Sequence, residues 1–176
     1  MLTATYALMT LAVEQNTERG FITRILHYLQ THAARPERID PACLQSQFDA
    51  LTQFAETRHK HKLEACIIPA VREATPDAAP LLADLEALSR SGSKMLRSVR
   101  RGLRLAFLHG GGRIRGLCRK LERYCENVLA RLAKEEQELL PLAQRVVTSE
   151  QWFTIGSMFL HGAAERAARA RPVIPA

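Results

Sequence analysis

The sequence predicts an all-α protein, and three observations support this prediction. Apolar residues recur every three or four positions along the long segments, which is the period of one face of an α-helix. The same segments lack the alternation of apolar and polar residues that is typical of β-strands. Hydrophobic residues make up 47% of the chain and aromatic residues only 6%, which favours aliphatic packing between helices. A chain of 176 residues suits one domain with a substantial core.

A first helix is expected from about Thr5 to His32. Its inward-facing apolar residues are Leu8, Ala12, Ile22, Ile25, Leu26 and Leu29. Gln15 lies one heptad after Leu8 and one before Ile22, so its polar side chain is predicted to face the core. The prolines at 36 and 41 indicate a loop between residues 33 and 41, because neither fits a helix interior.

A second helix is expected from about Pro41 to Ala74 and ends at Thr75-Pro76. One face of this helix collects the residues Leu51, Phe54, Ala55, Leu63, Cys66, Ile67 and Ala70. His59 falls in the same stripe and is predicted to point at the core. His61 and Glu64 are predicted to lie on the outer side.

A third helix is expected to begin near Asp77 and to end at the three glycines that follow His109. Its inward stripe is Leu82, Leu85, Ser89, Gly92, Leu96, Val99, Leu103 and Ala106. Ser89 and Gly92 are the exceptions in an otherwise apolar row.

A fourth helix carries the most regular repeat, with 3-4 spacing from Cys118 to Val146. The members of this repeat are Cys118, Leu121, Cys125, Val128, Leu132, Glu135, Leu139, Leu142 and Val146. Glu135 is the only charged residue among them. The run from Thr148 to Gln151 resembles a capping box and is expected to open a short C-terminal helix. We expect one domain over residues 1–162, a frayed tail over residues 163–176, and no internal repeat.

Two of these segments resemble the main signatures of the hemerythrin-like (HHE cation-binding domain) family. They are residues 58–71, Arg-His-Lys-His-Lys-Leu-Glu-Ala-Cys-Ile-Ile-Pro-Ala-Val, and residues 124–143, which end in Leu-Leu-Pro-Leu-Ala. The end of the second segment is similar to the bacterial branch of the family. This resemblance implies an up-and-down four-helix bundle with a short C-terminal helix, a non-haem di-iron site, and a role in oxygen, nitric oxide or iron handling.

The resemblance also implies where the metal ligands would lie, and most of those positions hold other residues. The corresponding positions are Gln15, His59, Leu63, Ser89, Arg131 and Glu135. Only His59 and Glu135 keep a residue of the family's ligand type. A guanidinium cannot lose its proton, so Arg131 would add positive charge beside a cation. We therefore expect the di-iron centre to be lost.

Three interpretations of the remaining polar residues stay open. In the first, a protein-only cluster of hydrogen bonds fills the place of the metal and comprises Gln15, His59, Ser89, Arg131 and Glu135. In the second, a single metal ion, such as iron at low occupancy, is bound by His59 and Glu135, with Gln15 or with His61 and Glu64. In the third, a small ligand or cofactor lies in the bundle centre. The leading hypothesis is a degenerate metal site without a cofactor, in a non-catalytic sensor or interaction module.

Basic charge is concentrated in one part of the chain. Residues 90–123 contain eleven Lys and Arg residues and one acid, Glu122, whereas the whole chain has a net charge of +7. A nucleic-acid site is the alternative prediction here, with the candidate residues Arg97, Arg100, Arg101, Arg104, Arg113 and Arg115. The segment has little aromatic content for base stacking, and basic helix faces are often merely solvated.

Other function classes find little support in the sequence. No Ser/His/Asp or Cys/His arrangement predicts a nucleophile and base, so we expect no enzyme activity. Cys118 and Cys125 are expected to act as small core hydrophobes. The absence of a CxxC motif, a secretory signal and a long apolar run predicts a cytoplasmic protein with no membrane partner. A protein partner of unknown identity and a homodimer both stay open.

Overall fold

The computed structural model describes residues 2–32, 40–57, 62–109 and 114–169, and every regular element within these ranges is helical. The helices are α1 (Leu2–His32), α2 (Pro41–Thr57), α3 (Ile68–Ala74), α4 (Ala79–His109), α5 (Ile114–Lys134), α6 (Leu140–Val146) and α7 (Ser149–Arg169). Two π-helical turns, Leu63–Ile67 and Glu135–Leu139, lead into α3 and α6, and a 3-10 turn, Pro76–Ala78, leads into α4. The prediction of an all-α protein is confirmed.

The helices pack side by side around α5. Helix α5 lies against both α4 and α1, while α1 also contacts α7. Helix α2 packs on α4, and α3 packs on α6. None of the helices that the structure describes has the length and apolar content needed to cross a lipid bilayer.

The buried apolar residues form two separate clusters. The first cluster contains Ala7 and Leu11 of α1 together with most buried residues of α3, α6 and α7. The second contains Ile22, Ile25 and Leu29 of α1, and it extends over α2, the second half of α4 and the first half of α5. The buried residues between the two clusters are Gln15 and Glu18 on α1, and Arg131, Leu132 and Glu135 along α5 and the π turn that follows it, so all but Leu132 are polar. The core is therefore divided by a layer of polar side chains.

The two π-helical turns have the same cause, which is a proline. Pro69 and Pro141 each occupy the second residue of the helix that follows a π turn. A proline has no N–H to donate, and its ring collides with the carbonyl four residues earlier in a regular α-helix. The backbone widens just before the proline, so that Ile68 N–H donates to the carbonyl of Leu63 and Leu140 N–H to that of Glu135.

This backbone pattern occurs twice, at an offset of 72 residues. Each copy consists of a five-residue π turn, a seven-residue helix with proline at its second residue, and an extended C-cap, Thr75 or Val147. The recurrence concerns backbone conformation alone, because the two copies share the prolines that cause it but few of the surrounding side chains.

The π turns also correct the predicted helix registers. Residues 41–74 do not form one continuous α-helix, because a π turn precedes α3. After Leu139 the buried positions are Leu140, Ala143 and Val147, whereas the predicted Leu142 and Val146 are only partly buried. A π turn accommodates one additional residue, which rotates the following helix by about 100° relative to an uninterrupted 3-4 pattern.

Helix α7 begins as predicted but is longer than predicted. The amide of Thr148 donates to Gln151 Oε1 at 3.0 Å, and the amide of Gln151 donates to Thr148 Oγ1 at 3.3 Å, which confirms the capping box. The helix then runs for 21 residues to Arg169, so it is not short, and residues 163–169 of the predicted frayed tail are helical. Four alanines among these last residues explain the extension, since alanine is the best helix former. Residues 170–176 lie outside the described part.

The thiols of α5 pack as apolar core residues. Cys118 and Cys125 are both buried in the second cluster and neither forms a disulfide. Burial raises the pKa of the Cys118 thiol to about 11 and that of the Cys125 thiol to about 12. At neutral pH both are thus protonated, and thiolate chemistry at these positions is disfavoured.

We predict that replacing Gly20 by alanine stabilises the protein. Gly20 lies inside α1 and a Cβ there would meet open space, so the substitution removes the helix penalty of glycine, about 0.5–1 kcal/mol. Gly102→Ala in α4 is the matched comparison, because its Cβ would lie 2.9 Å from Leu117 Cδ1. Urea unfolding should give a higher free energy of unfolding for Gly20→Ala and a smaller gain or a loss for Gly102→Ala. Equal gains would contradict the packing described for α4 and α5.

Candidate functional site

Among the described residues, four buried polar side chains lie between the two apolar clusters, and they come from two helical segments. Gln15 and Glu18 lie on α1 between Leu11 and Ile22, whereas Arg131 and Glu135 lie at the junction of α5 with its π turn. Because α1 and α5 pack against each other, their polar residues meet in the middle of the core.

A charged pair forms the centre of this layer. Arg131 Nε donates to Glu135 Oε1 at 2.8 Å, and the Glu135 side chain is completely buried. The second carboxylate oxygen, Oε2, accepts from the side-chain amide of Gln15 at 3.3 Å. A buried charge is costly unless it is paired and hydrogen-bonded, and both conditions are met for Glu135.

Arg131 also binds a second carboxylate. Its Nη2 donates to Glu64 Oε1 at 3.0 Å, and Glu64 belongs to the first π turn. Burial alone would lower the pKa of Arg131, but Glu135 and Glu64 outweigh this effect and the pKa is raised. The guanidinium therefore stays charged and holds α5 to the turn that precedes α3.

The contact of Glu64 corrects its predicted position on the outer side. Glu64 follows the buried Leu63 and is half-buried at the edge of the core. Its long side chain carries the carboxylate inward to Arg131. A helical wheel places the Cα atom but not the end of a flexible side chain.

Ser89 does not join these hydrogen bonds, contrary to the prediction. It is half-buried on α4 and lines a cavity of about 90 Å³ beside Arg131. A serine hydroxyl lies close to its own helix, and here it does not reach the side chains that α1 and α5 supply.

His59 and His61 lie outside the described residues. Of the five residues predicted to form a polar cluster, the structure thus brings together Gln15, Arg131 and Glu135. Of the two secondary candidates, it brings Glu64 to the same place.

Glu18 is a buried charged residue that the sequence analysis missed. It is 4% exposed and lies in the polar layer. Its position completes the 3-4 spacing Leu11, Gln15, Glu18, Ile22, so the pattern itself carried the signal. The predicted stripe was centred too far toward Ala12, which is exposed.

Further ion pairs surround this layer. Lys62 pairs with Glu14 at 2.5 Å in a partly buried position, and Arg19 pairs with Glu136 at the surface. Lys134 pairs with Asp84 at 2.9 Å and thereby joins α5 to α4. Exposed pairs such as that of Arg19 contribute about 0–1 kcal/mol each, whereas the pair of Arg131 and Glu135 is the most deeply buried.

The donor set does not fit a di-iron centre. A centre of this kind needs several imidazole and carboxylate donors that converge on the metal, and it tolerates no fixed positive charge among them. Here, both oxygens of Glu135 are hydrogen-bonded and a guanidinium occupies the space beside them. Within the described ranges, no group of three or more His, Cys, Asp and Glu side chains is arranged to hold a metal ion.

The predicted basic surface is partly described. Residues 90–123 contribute nine exposed cationic side chains on α4 and α5: Arg90, Lys94, Arg97, Arg100, Arg101, Arg115, Arg119, Lys120 and Arg123. Lys120 Nζ donates to Ser98 Oγ at 3.1 Å, which links the exposed faces of the two helices. The side chain of Arg104 and the whole of Arg113 lie outside the described part.

No model of a protein family matches this chain. Comparison with curated proteins and with solved structures likewise gives no match.

Proposed function

We propose that this protein is a hemerythrin-like four-helix bundle in which an internal ion pair replaces the metal centre. On this proposal, α1, α2 with α3, α4, and α5 with α6 are the four members of the bundle, and α7 covers one end. The protein acts without catalysis, as a sensor or interaction module. It needs no metal cofactor to be folded.

One observation carries the proposal, namely the guanidinium of Arg131 between two carboxylates. The resemblance to the family implies a cation at this place, and here the cation is a side chain. The fixed charge of Arg131 repels a metal ion, and its hydrogen bonds use carboxylate oxygens that would otherwise bind one.

The backbone repeat is a second observation that supports the loss of the metal site. At an offset of 72 residues, Glu135 corresponds to Leu63, and each is the first residue of a π turn. The resemblance assigns a carboxylate to both positions. Leu63 is buried in the first apolar cluster and offers no donor atom. One half of the repeat thus contributes a carboxylate and the other half contributes apolar packing.

The single-metal alternative requires Glu135 to exchange Arg131 for a metal ion. Glu64, which could assist, is bound to the same guanidinium. A metal would therefore have to compete with a buried ion pair whose separation leaves an unpaired charge in the core, which costs about 3–5 kcal/mol. For this reason we favour the form without metal.

We expect that freshly purified wild-type protein contains much less than one iron atom per chain by elemental analysis. Arg131→Ala should acquire affinity for Mn²⁺ or Fe²⁺, because Glu64 and Glu135 then face each other without a cation. Calorimetric titration of both proteins measures this gain, after circular dichroism has checked that the variant is helical. Arg90→Ala, an exposed arginine on α4, is the control and should gain nothing.

Two irons per chain in wild-type protein would refute the proposal. Approximately one tightly bound metal per chain that is lost on Glu135→Ala would instead favour the single-metal alternative.

We expect strong coupling between Arg131 and Glu135 in a double-mutant cycle. Arg131→Met or Glu135→Leu alone leaves one charge buried and should lower the free energy of unfolding by about 3–5 kcal/mol. The double variant should lose less than the sum of the two by about 2–3 kcal/mol. Arg90 and Glu86 form the matched control, since they also lie four residues apart but are both exposed, and their coupling should be at most about 0.5 kcal/mol. Purely additive losses at the buried pair would count against its assigned role.

A second candidate function is nucleic-acid binding, which the arrangement of the exposed cations on α4 favours. Arg90, Lys94, Arg97 and Arg101 follow one another at intervals of four, three and four residues, so they form a ridge along one helix face. The ridge is about 16 Å long at 1.5 Å per residue. A ridge of this kind can bind a row of phosphates, and such contacts do not distinguish one base sequence from another.

If this second candidate is correct, binding of a short duplex DNA should weaken steeply as salt is raised, by about tenfold or more between 50 and 200 mM. Arg97→Glu, Arg101→Glu and Arg119→Glu combined should abolish the binding. The control reverses three exposed arginines elsewhere, Arg24, Arg72 and Arg145, and gives the same net charge. Fluorescence anisotropy measures both. Equal losses in the two triple variants would indicate a response to net charge alone, and an absence of binding at low salt would exclude the candidate.

A further inference from the structure

A cavity of about 90 Å³ lies beside the polar layer, between α2, the first π turn, α4 and α5. Leu88, Leu96 and Val128 are among its apolar lining residues. Its polar lining residues are Glu64, Ser89, Ser93, Tyr124, Asn127 and Arg131. A single water needs about 10–15 Å³ of such space, so the cavity is large enough for a small organic molecule.

Tyr124 lines this cavity, and its hydroxyl group has no hydrogen-bond partner among the residues that the structure describes. The residue is 4% exposed, and within the described part of the chain its hydroxyl forms no hydrogen bond. Its burial raises the pKa of Tyr124 to about 12, so the phenol remains a donor at neutral pH. Buried tyrosine hydroxyls usually have a partner, and one without a partner calls for an explanation.

Arg131 lines the same cavity, and some of its N–H groups are not hydrogen-bonded to any described residue. A guanidinium has five N–H groups, of which one binds Glu135 and one binds Glu64. The other three form no hydrogen bond to any residue that the structure describes. The side chain of Arg131 is only 8% exposed, so little bulk water reaches these donors. Two buried side chains that have unused donors thus line one cavity.

Gly92 on α4 keeps this space open. A Cβ atom at this position would lie 2.9 Å from Asn127 Oδ1 and 3.7 Å from Tyr124 Cε2. Any side chain at residue 92 would therefore displace the Asn127 amide and narrow the cavity at the tip of the Tyr124 ring. Glycine here allows α4 and α5 to approach closely while the cavity remains.

We propose that this cavity binds a small neutral molecule with an apolar body and a hydrogen-bond-accepting oxygen, such as a cyclic ketone. The acceptor oxygen lies against Tyr124 and Arg131, and the apolar body lies against Leu88, Leu96 and Val128. An anion is disfavoured, because Glu64 and Glu135 already exceed the single positive charge of Arg131. This inference rests on the proposed function, because it names the class of ligand that the proposed sensor would bind.

Titration with cyclohexanone tests the proposal, with chemical shifts of the ¹⁵N-labelled full chain as the readout. Methylenecyclohexane has nearly the same shape without an acceptor oxygen, and cyclohexanecarboxylate carries a negative charge. We expect cyclohexanone to shift the amides around Ser89, Tyr124 and Asn127 and to bind at least tenfold more tightly than either comparison compound. A lack of cyclohexanone binding, which means that water alone fills the cavity, would overturn the proposal, as would equal binding of methylenecyclohexane.

Two variants separate ligand recognition from folding. Tyr124→Phe removes a hydroxyl that has no partner among the described residues, so the thermal midpoint of this variant should be unchanged or higher. The affinity of the variant for cyclohexanone should fall about fivefold to tenfold. Gly92→Ala should remove binding while Gly20→Ala, the same change in open space, leaves binding unchanged. Unchanged affinity in both cavity variants would overturn the proposal.

The proposed function and this inference can fail separately. Wild-type protein that contains iron but still binds cyclohexanone would refute only the proposed function. Wild-type protein that contains no metal and binds none of the compounds would refute only this inference.

Discussion

The requirement that a buried charge be paired governs the middle of this protein. Glu135 is completely excluded from water, and its charge is tolerated because Arg131 and Gln15 bind its two oxygens. Arg131 in turn is held by Glu64 of the first π turn. The apolar core is consequently divided into two clusters, and the packing of α1 against α5 is tied to the alignment of their polar residues. A slip by one residue along either helix would leave a charge unpaired in an apolar environment.

Two prolines determine how the polar layer is oriented. Pro69 and Pro141 each cause a π turn, and each turn brings its first residue to the buried face. Glu135 and Leu63 are equivalent in this backbone repeat, yet one is charged and the other is apolar. The asymmetry leaves the layer with a single arginine that bridges both halves, because Glu64, the neighbour of Leu63, supplies the carboxylate on that side.

Arg131 belongs both to the ion pair with Glu135 and to the lining of the cavity for which we propose a ligand. Two of its N–H groups bind Glu135 and Glu64, and its side chain lines the cavity together with Tyr124. Gly92 preserves that space at the contact between α4 and α5. The ligand site that we propose therefore needs no metal, because Arg131 and Tyr124 would supply its donors.

Periodicity alone determined the helical class, most helix boundaries, the capping box at Thr148, and the inward direction of Gln15 and Glu135. These features depend on local propensity and on the regular spacing of apolar residues, both of which can be read along the chain. Only the tertiary structure decided that Arg131 binds Glu64, that Glu18 is buried, and that Ser89 stays outside the hydrogen bonds. It also decided that the buried positions after Leu139 shift by one residue from the predicted spacing. The physical reason is that an ideal helical wheel assumes 3.6 residues per turn and short side chains. A π turn changes the number of residues per turn, and the side chains of arginine and glutamate are long enough to reach neighbouring helices.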